Sequence, residues 1–402
     1  MVAREPHLLD IDFLTAGVPH ARYAELRRRE PVSWQEAESG GYWAVLKHAD
    51  VQAISRDPAL FSAERQGMQL VDYTDQLATL LSLDPPRHTE VRRRVLHAFA
   101  PRLVRELEPR MRAIVRATFD RVAGRETCDF VQDVVRPLPL EIVCDLLGVP
   151  AVDRARVGEW ADLLAGSADP EIAREGKTGT QGAIEFGTYA FQLSQKETPA
   201  GGESLLSVLK NAELDGEQVD LMTFCGLFVQ IAIAGNETTR STLVGGMLEL
   251  IQRPDACRAL RAEPARIPFA VEEMLRFLSP VHYFRRTATR DTVLRGQRIA
   301  AGDRVVMMYA SANRDEDVFA NADSFDVNRS PNPHVAFGFG EHFCLGAALG
   351  RLEARVFLEE FLARFAAIEL AGEPVRLRSN ELNAWKRMPV RLVERGRDSA
   401  RR

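Results

Sequence analysis

The sequence predicts a mainly α protein with minor β, folded as one large helical domain with small peripheral sheets. Three observations carry this expectation. Residues 101–122, 221–252, 268–277 and 345–365 each repeat apolar side chains at three- and four-residue intervals, the period of a helix with one buried face. Strand-like alternation is confined to short runs. No internal repeat or composition break divides the 402 residues, so residues 1–402 are expected to form a single unit, with 1–10 and 395–402 as flexible tails.

Taken in chain order, Tyr42-Trp43-Ala44-Val45-Leu46 reads as a strand, and residues 62–83, between Phe61 and Asp84-Pro85-Pro86, read as a cover. Pro85 and Pro86 then open a helix that sets His88 and Arg92 on one face at i, i+4. Residues 166–202, rich in Gly, Thr and Ser with weak periodicity, read as a second cover. The apolar run from Leu221 to Gly235 contains Gln230 and ends in Asn236-Glu237-Thr238-Thr239-Arg240, which predicts a buried helix short of a bilayer span. Residues 293–309 read as short strands joined by turns at Arg295-Gly296 and Ala301-Gly302-Asp303.

Composition narrows the function. A formal net charge of -5 provides no basic field for nucleic acid or an anionic membrane, so neither is expected as a partner. The first twelve residues carry Arg4, Glu5, Asp10 and Asp12 without an apolar segment, which predicts neither a secretion signal nor a membrane anchor. Cys128, Cys144, Cys225, Cys257 and Cys344 are scattered without CxxC spacing, arguing against disulfides or a zinc cluster and for a cytoplasmic setting.

The most informative segment is Phe337-Gly338-Phe339-Gly340-Glu341-His342-Phe343-Cys344-Leu345-Gly346, which runs into an amphipathic helix. Free N–H groups and the dipole at a helix start favour a thiolate over a thiol, as an iron ligand requires. Gly338 and Gly340 allow the loop to press on a flat ring, Gly346 removes a side chain where the helix would approach it, and Phe337 and Phe343 would shield the sulfur. The plain alternative is an inert buried cysteine in a Gly-rich turn. A dinucleotide loop lacks GxGxxG, and a zinc site on His334, His342 and Cys344 lacks a fourth ligand.

This segment resembles the haem-binding signature of the cytochrome P450 family, FGxGxHxCxG, which implies that Cys344 is the axial thiolate ligand of a haem b. On the helix before it, Ile231, Ala234, Gly235, Thr238 and Thr242 fall on one stripe, and small residues beside a threonine leave a groove. A small-residue helix crossing would give the same stripe. Ala234-Gly235-Asn236-Glu237-Thr238-Thr239 resembles the family's AGx(D/E)T(T/S) motif, which implies Glu237 as the acid and Thr238 as the alcohol of a proton relay to dioxygen. Asn236 receives no role.

Haem propionates need cationic partners once buried. Residues 84–92 resemble the family's DPPxHxxxR segment, implying His88 and Arg92; Arg286 matches a third clamp, with Arg285 beside it as the competitor, and His342 is a fourth. Glu273 and Arg276 resemble the ExxR scaffold pair, which is structural. The downstream PxRF stretch is absent, since Ala322-Asp323-Ser324-Phe325 has neither Pro nor Arg, and Arg329 is the substitute.

The resemblance implies a monooxygenase that activates dioxygen and hydroxylates or epoxidises a hydrophobic small molecule: a terpenoid, steroid or branched lipid. Polyketide or other natural-product tailoring is the alternative within the fold. A peroxide-driven variant or a haem sensor would not need Glu237 and Thr238. No flavin or iron–sulfur motif follows, so electrons are expected from a ferredoxin or flavodoxin-type donor with its reductase, docking on Arg93, Arg94, Arg102, Arg105 and Arg351 of a monomer. By family analogy, substrate contacts are expected from residues 68–73, including Met68, Leu70, Val71, Asp72 and Tyr73, from Leu227 and Ile231, from residues 281–284, including Val281, His282 and Phe284, and from residues 382–385, including Trp385, with His282 or Asn383 to bond an oxygen.

Overall fold

A 31-residue helix, Leu221–Ile251, runs through the middle of the protein. Its start is set by Asp220, whose carboxylate accepts the Thr223 N–H at 2.9 Å. The computed structural model describes residues 6–70, 79–173, 178–196, 205–211, 213–214 and 216–396. Around the central helix pack Pro137–Leu146, Arg154–Ala165, Gly179–Ser194, Ile267–Leu278 and Ala347–Arg364. The close crossings explain two of its glycines: a Cβ on Gly245 would stand 2.7 Å from the Trp385 ring, and one on Gly246 would stand 2.4 Å from the Met274 sulfur.

The helix expected over 221–252 is present as Leu221–Ile251, long and apolar enough by composition to cross a membrane. It serves as the core helix, with Glu237 and Arg240 buried along it. The helix expected over 101–122 is two, Pro101–Glu106 and Glu108–Val122. Pro109 cannot donate to the Arg105 carbonyl, so the ladder breaks at Leu107. Within the second expected cover, Gly179–Ser194 is a helix. Phe186, Ala190 and Leu193 form its buried stripe, and the Phe186 ring stacks on Trp160 at 5.2 Å. Of that cover, 174–177 and 197–202 lie outside the described residues.

Strands are few. The main sheet has the order Val32–Gln35, Tyr42–Val45, Arg304–Met308, Tyr283–Ala288, Phe61–Ser62, with one parallel pair, Arg304–Met308 beside Tyr42–Val45. The expected turns join Thr292–Leu294, Gln297–Ile299 and Arg304–Met308, with Arg295 and Gly296 at positive φ. Leu8 and Leu9, assigned by sequence to a flexible tail, are buried against Tyr23 and Tyr42, and the Leu9 N–H donates to the Tyr42 hydroxyl at 3.1 Å. At the other end, the Arg395 N–H donates to the Arg364 carbonyl at 3.0 Å, and residues 397–402 lie outside the described set.

Candidate active site

Between the central helix and the Cys344 loop lies a cavity. Ala234, Gly235 and Thr238 line one wall, and Phe337, Gly338, His342, Cys344 and Gly346 line another.

The loop holds Cys344 through its backbone, whose N–H donates to the Phe337 carbonyl at 2.8 Å. Three residues later the helix Ala347–Arg364 begins. Four cysteines are buried, whereas Cys344 is open to the cavity. Enclosure raises its thiol pKa, opposed by the Gly346 N–H and the charges of Arg92 and Arg351. Burial and the Gly346 N–H thus act in opposite senses on the sulfur, and a bound cation would add to the side that favours the thiolate. Gly340 (φ 68°) turns the loop where a Cβ would sit 2.3 Å from the Ser55 carbonyl oxygen. A Cβ on Gly346 would meet nothing within 4 Å. Since Gly346 lines the cavity, its missing side chain leaves clear space beside the sulfur.

One end of the cavity carries an unbalanced cationic cluster. The rings of His88 and His342 are 4.2 Å apart, and neither nitrogen of the buried His88 ring has a hydrogen-bond partner among the described residues. Burial, then the neighbouring charges of Arg92 and Arg286, lowers the His88 pKa to about 4. Arg286 is 4% exposed and donates only to the Arg285 carbonyl, while Arg92 donates to the Phe343 carbonyl; neither has a carboxylate partner among the described residues. Alternation along Tyr283–Ala288 separates the two candidate arginines. Arg286 lines the cavity, whereas the Arg285 guanidinium bonds the Gln69 and Leu70 carbonyls.

On the central helix, Thr238 donates from Oγ1 to the Ala234 carbonyl at 2.8 Å, leaving its oxygen lone pairs toward the cavity. Thr242 repeats the bond to the Thr238 carbonyl. Glu237 is buried, outside the cavity lining, and bonded to Arg240, which also donates to Asp162 at 2.8 Å; Asp162 in turn pairs with Arg136. Burial raises the Glu237 pKa, with Arg240 opposing. Sequence reading missed this chain, although Arg240 stands three residues from Glu237. It also missed Glu353, a fully enclosed cavity carboxyl pushed up to about 8 by burial and bonded by Thr239 at 3.0 Å.

Of the expected substrate contacts, Met68, Ile231, Val281 and Phe284 line the cavity. Leu70, Leu227, His282 and Trp385 do not. Leu70 packs with Tyr283, Leu227 is core, and Trp385 packs against Gly245 beneath Arg376. His282 is 1% exposed on the strand side that faces His20. Asn383 is spent on the Leu278 carbonyl and Arg376, so neither polar candidate reaches the cavity. Val71, Asp72 and Tyr73 lie outside the described residues.

Behind the loop, Glu273 and Arg276 form a bidentate pair, 2.7 Å on each arm, with both side chains fully buried. Arg276 also bonds the Asn313, Ala322 and Ser324 carbonyls, which fixes the approach to the Cys344 loop. Arg329 supplies the third member, reaching Glu273 at 3.0 Å.

These features fit a haem: a sulfur free of competing bonds, a glycine that leaves room for a ring, and orphaned cationic groups placed for two propionates. Comparison with known proteins agrees. The Cytochrome P450 family profile matches residues 202–385. The linalool 8-monooxygenase of Pseudomonas putida is 37% identical over 401 residues, covering 96% of this chain and 99% of that one. The methyl-branched lipid omega-hydroxylase of Mycobacterium tuberculosis is 37% identical, covering 95% and 93%. A Mycobacterium marinum cytochrome P450 solved in complex with pseudoionone superposes with a TM-score of 0.88 at 36% identity, covering 97% and 100%. The chain belongs to the cytochrome P450 family of haem-thiolate monooxygenases.

Proposed function

We propose that this enzyme hydroxylates a hydrophobic terpenoid, steroid or branched lipid, with haem b held by Cys344. The observation that carries the reading is the placement of Cys344 and the Ala234, Gly235, Thr238 wall in one cavity whose remaining lining is largely apolar. The bound haem supplies dioxygen activation and insertion of one oxygen atom into the substrate. Arg92, Arg286, His88 and His342 hold its propionates, and Phe337 keeps water from the sulfur. Glu237, held by Arg240, carries the proton on its carboxyl. Thr238 passes it on from Oγ1 by exchanging its bond to the Ala234 carbonyl.

Electrons come from an acidic ferredoxin or flavodoxin-type protein with its own reductase. Arg93 and Arg105 have no ion-pair partner among the described residues. Arg105 and Arg351 line a groove with Val104 and Leu352; Arg351 is paired there with Glu272, and Arg105 is the cation that favours an acidic docking partner. The enzyme acts as a cytoplasmic monomer built as one domain.

The test is the reduced protein under carbon monoxide. Wild-type enzyme gives the red-shifted Soret band of thiolate ligation, and Cys344→Ser lacks it. An unshifted band from fully haem-loaded wild type defeats the reading. Screening terpenoids, steroids and branched lipids for low- to high-spin shifts then identifies the substrate.

A further inference from the structure

Met68, Leu80, Leu81, Ile231, Val281 and Phe284 contribute apolar lining to the cavity. An amide, Gln230, lines the same cavity, eight residues before Thr238 on the central helix. Its Oε1 accepts the Leu80 backbone N–H at 3.1 Å. That bond fixes which end of the amide is which, because an N–H can only be met by the oxygen. The Nε2 end makes no hydrogen bond among the described residues, so two N–H donors are available at a hydrophobic wall.

We propose that Gln230 is a specificity-determining residue that binds an oxygen atom of the substrate through Nε2. The proposal rests on the monooxygenase reading above and deepens it by naming the substrate's polar group. That group is a neutral hydroxyl or carbonyl. A carboxylate there would be desolvated against one amide, since the cavity's arginines, Arg92 and Arg286, are gathered with His88 and His342. Position sets the outcome as well. Eight residues of helix place Gln230 about 12 Å along the axis from Thr238. An oxygen anchored at Gln230 holds the opposite end of an elongated molecule at the reacting centre, so oxidation falls remote from that oxygen.

The experiment compares pseudoionone with the hydrocarbon of the same skeleton lacking its carbonyl oxygen, by spin-shift titration of the haem-loaded full chain. Wild type binds the ketone about five- to tenfold more tightly than the hydrocarbon, the effect of one hydrogen bond. Gln230→Met brings the ratio to about one and spreads the hydroxylation products over more carbons. The Leu80 bond is lost in the same variant, but a purely structural effect weakens both ligands equally and leaves the ratio intact; that result overturns the proposal. So does a ratio near one in wild type, including the case in which neither ligand shifts the spin state. Each sample is first checked for the red-shifted carbon monoxide band, so a failed family-level reading is seen separately from a failed assignment of Gln230.

Discussion

His88 and His342 lie with ring centroids 4.2 Å apart at a 34° tilt, and neither nitrogen of the fully buried His88 ring has a hydrogen-bond partner among the described residues. Buried imidazoles left in that state cost stability unless a further group meets them. With Arg92 and Arg286 alongside, that group is an anion. His88→Phe and Arg92→Ala are each expected to speed haem transfer to apomyoglobin about tenfold or more, at the scale of one charge-assisted hydrogen bond. Transfer at the wild-type rate in both variants removes these residues from propionate binding.

Thr238 presents an alcohol oxygen to the cavity while its proton is held by the Ala234 carbonyl. Thr238→Ala is expected to keep the carbon monoxide band and the substrate spin shift, yet to divert most reducing equivalents to hydrogen peroxide. Product and peroxide per NADH are the measurements. Undiminished coupling takes Thr238 out of proton delivery.

Glu273 and Arg276 are wholly enclosed, so removing one charge strands the other. Glu273→Gln is expected to cost about 3–5 kcal/mol, enough to deplete haem-loaded protein. Arg329 sits at the edge of the same network and also bonds the Ala320 and Asn321 carbonyls. Arg329→Lys keeps the charge but loses the fork, so its thermal midpoint should fall less than that of Glu273→Gln. Equal losses contradict this ranking.

Glu353 gives a pH dependence whose sign follows from its raised pKa. Unfolded, the carboxyl releases its proton near the model-peptide value of 4.5; folded, it keeps it to about 8. The unfolded chain therefore binds fewer protons between those limits, and stability falls as pH rises through that window. Urea midpoints of wild type should drop between pH 5.5 and 7.5, and Glu353→Gln should flatten that drop. Parallel profiles for the two proteins rule out the assignment.

Much of this protein is legible along the chain because the relevant groups are neighbours in sequence. The Cys344 loop, the Ala234 to Thr239 segment, and the i, i+4 and i, i+3 pairs His88–Arg92 and Glu273–Arg276 depend on local geometry that a helix or turn dictates. Helix and strand positions follow from periodicity for the same reason. Periodicity failed at 179–194, where glycines and threonines dilute the signal, and at 101–122, where the position of Pro109 matters more than the apolar repeat.

What sequence alone determined is the Cys344 loop that resembles the family's signature, the central helix that carries Glu237 and Thr238, and the mainly α fold. Only the tertiary structure shows that Arg286 and not Arg285 lines the cavity, because adjacent strand residues face opposite sides and nothing local says which side holds the cavity. It also brought Arg329 to Glu273 across 56 residues, turned His282 and Asn383 away from the cavity, and left Gln230 facing it. Each of these depends on contacts between segments distant in sequence, and such contacts are fixed by packing rather than by local propensity.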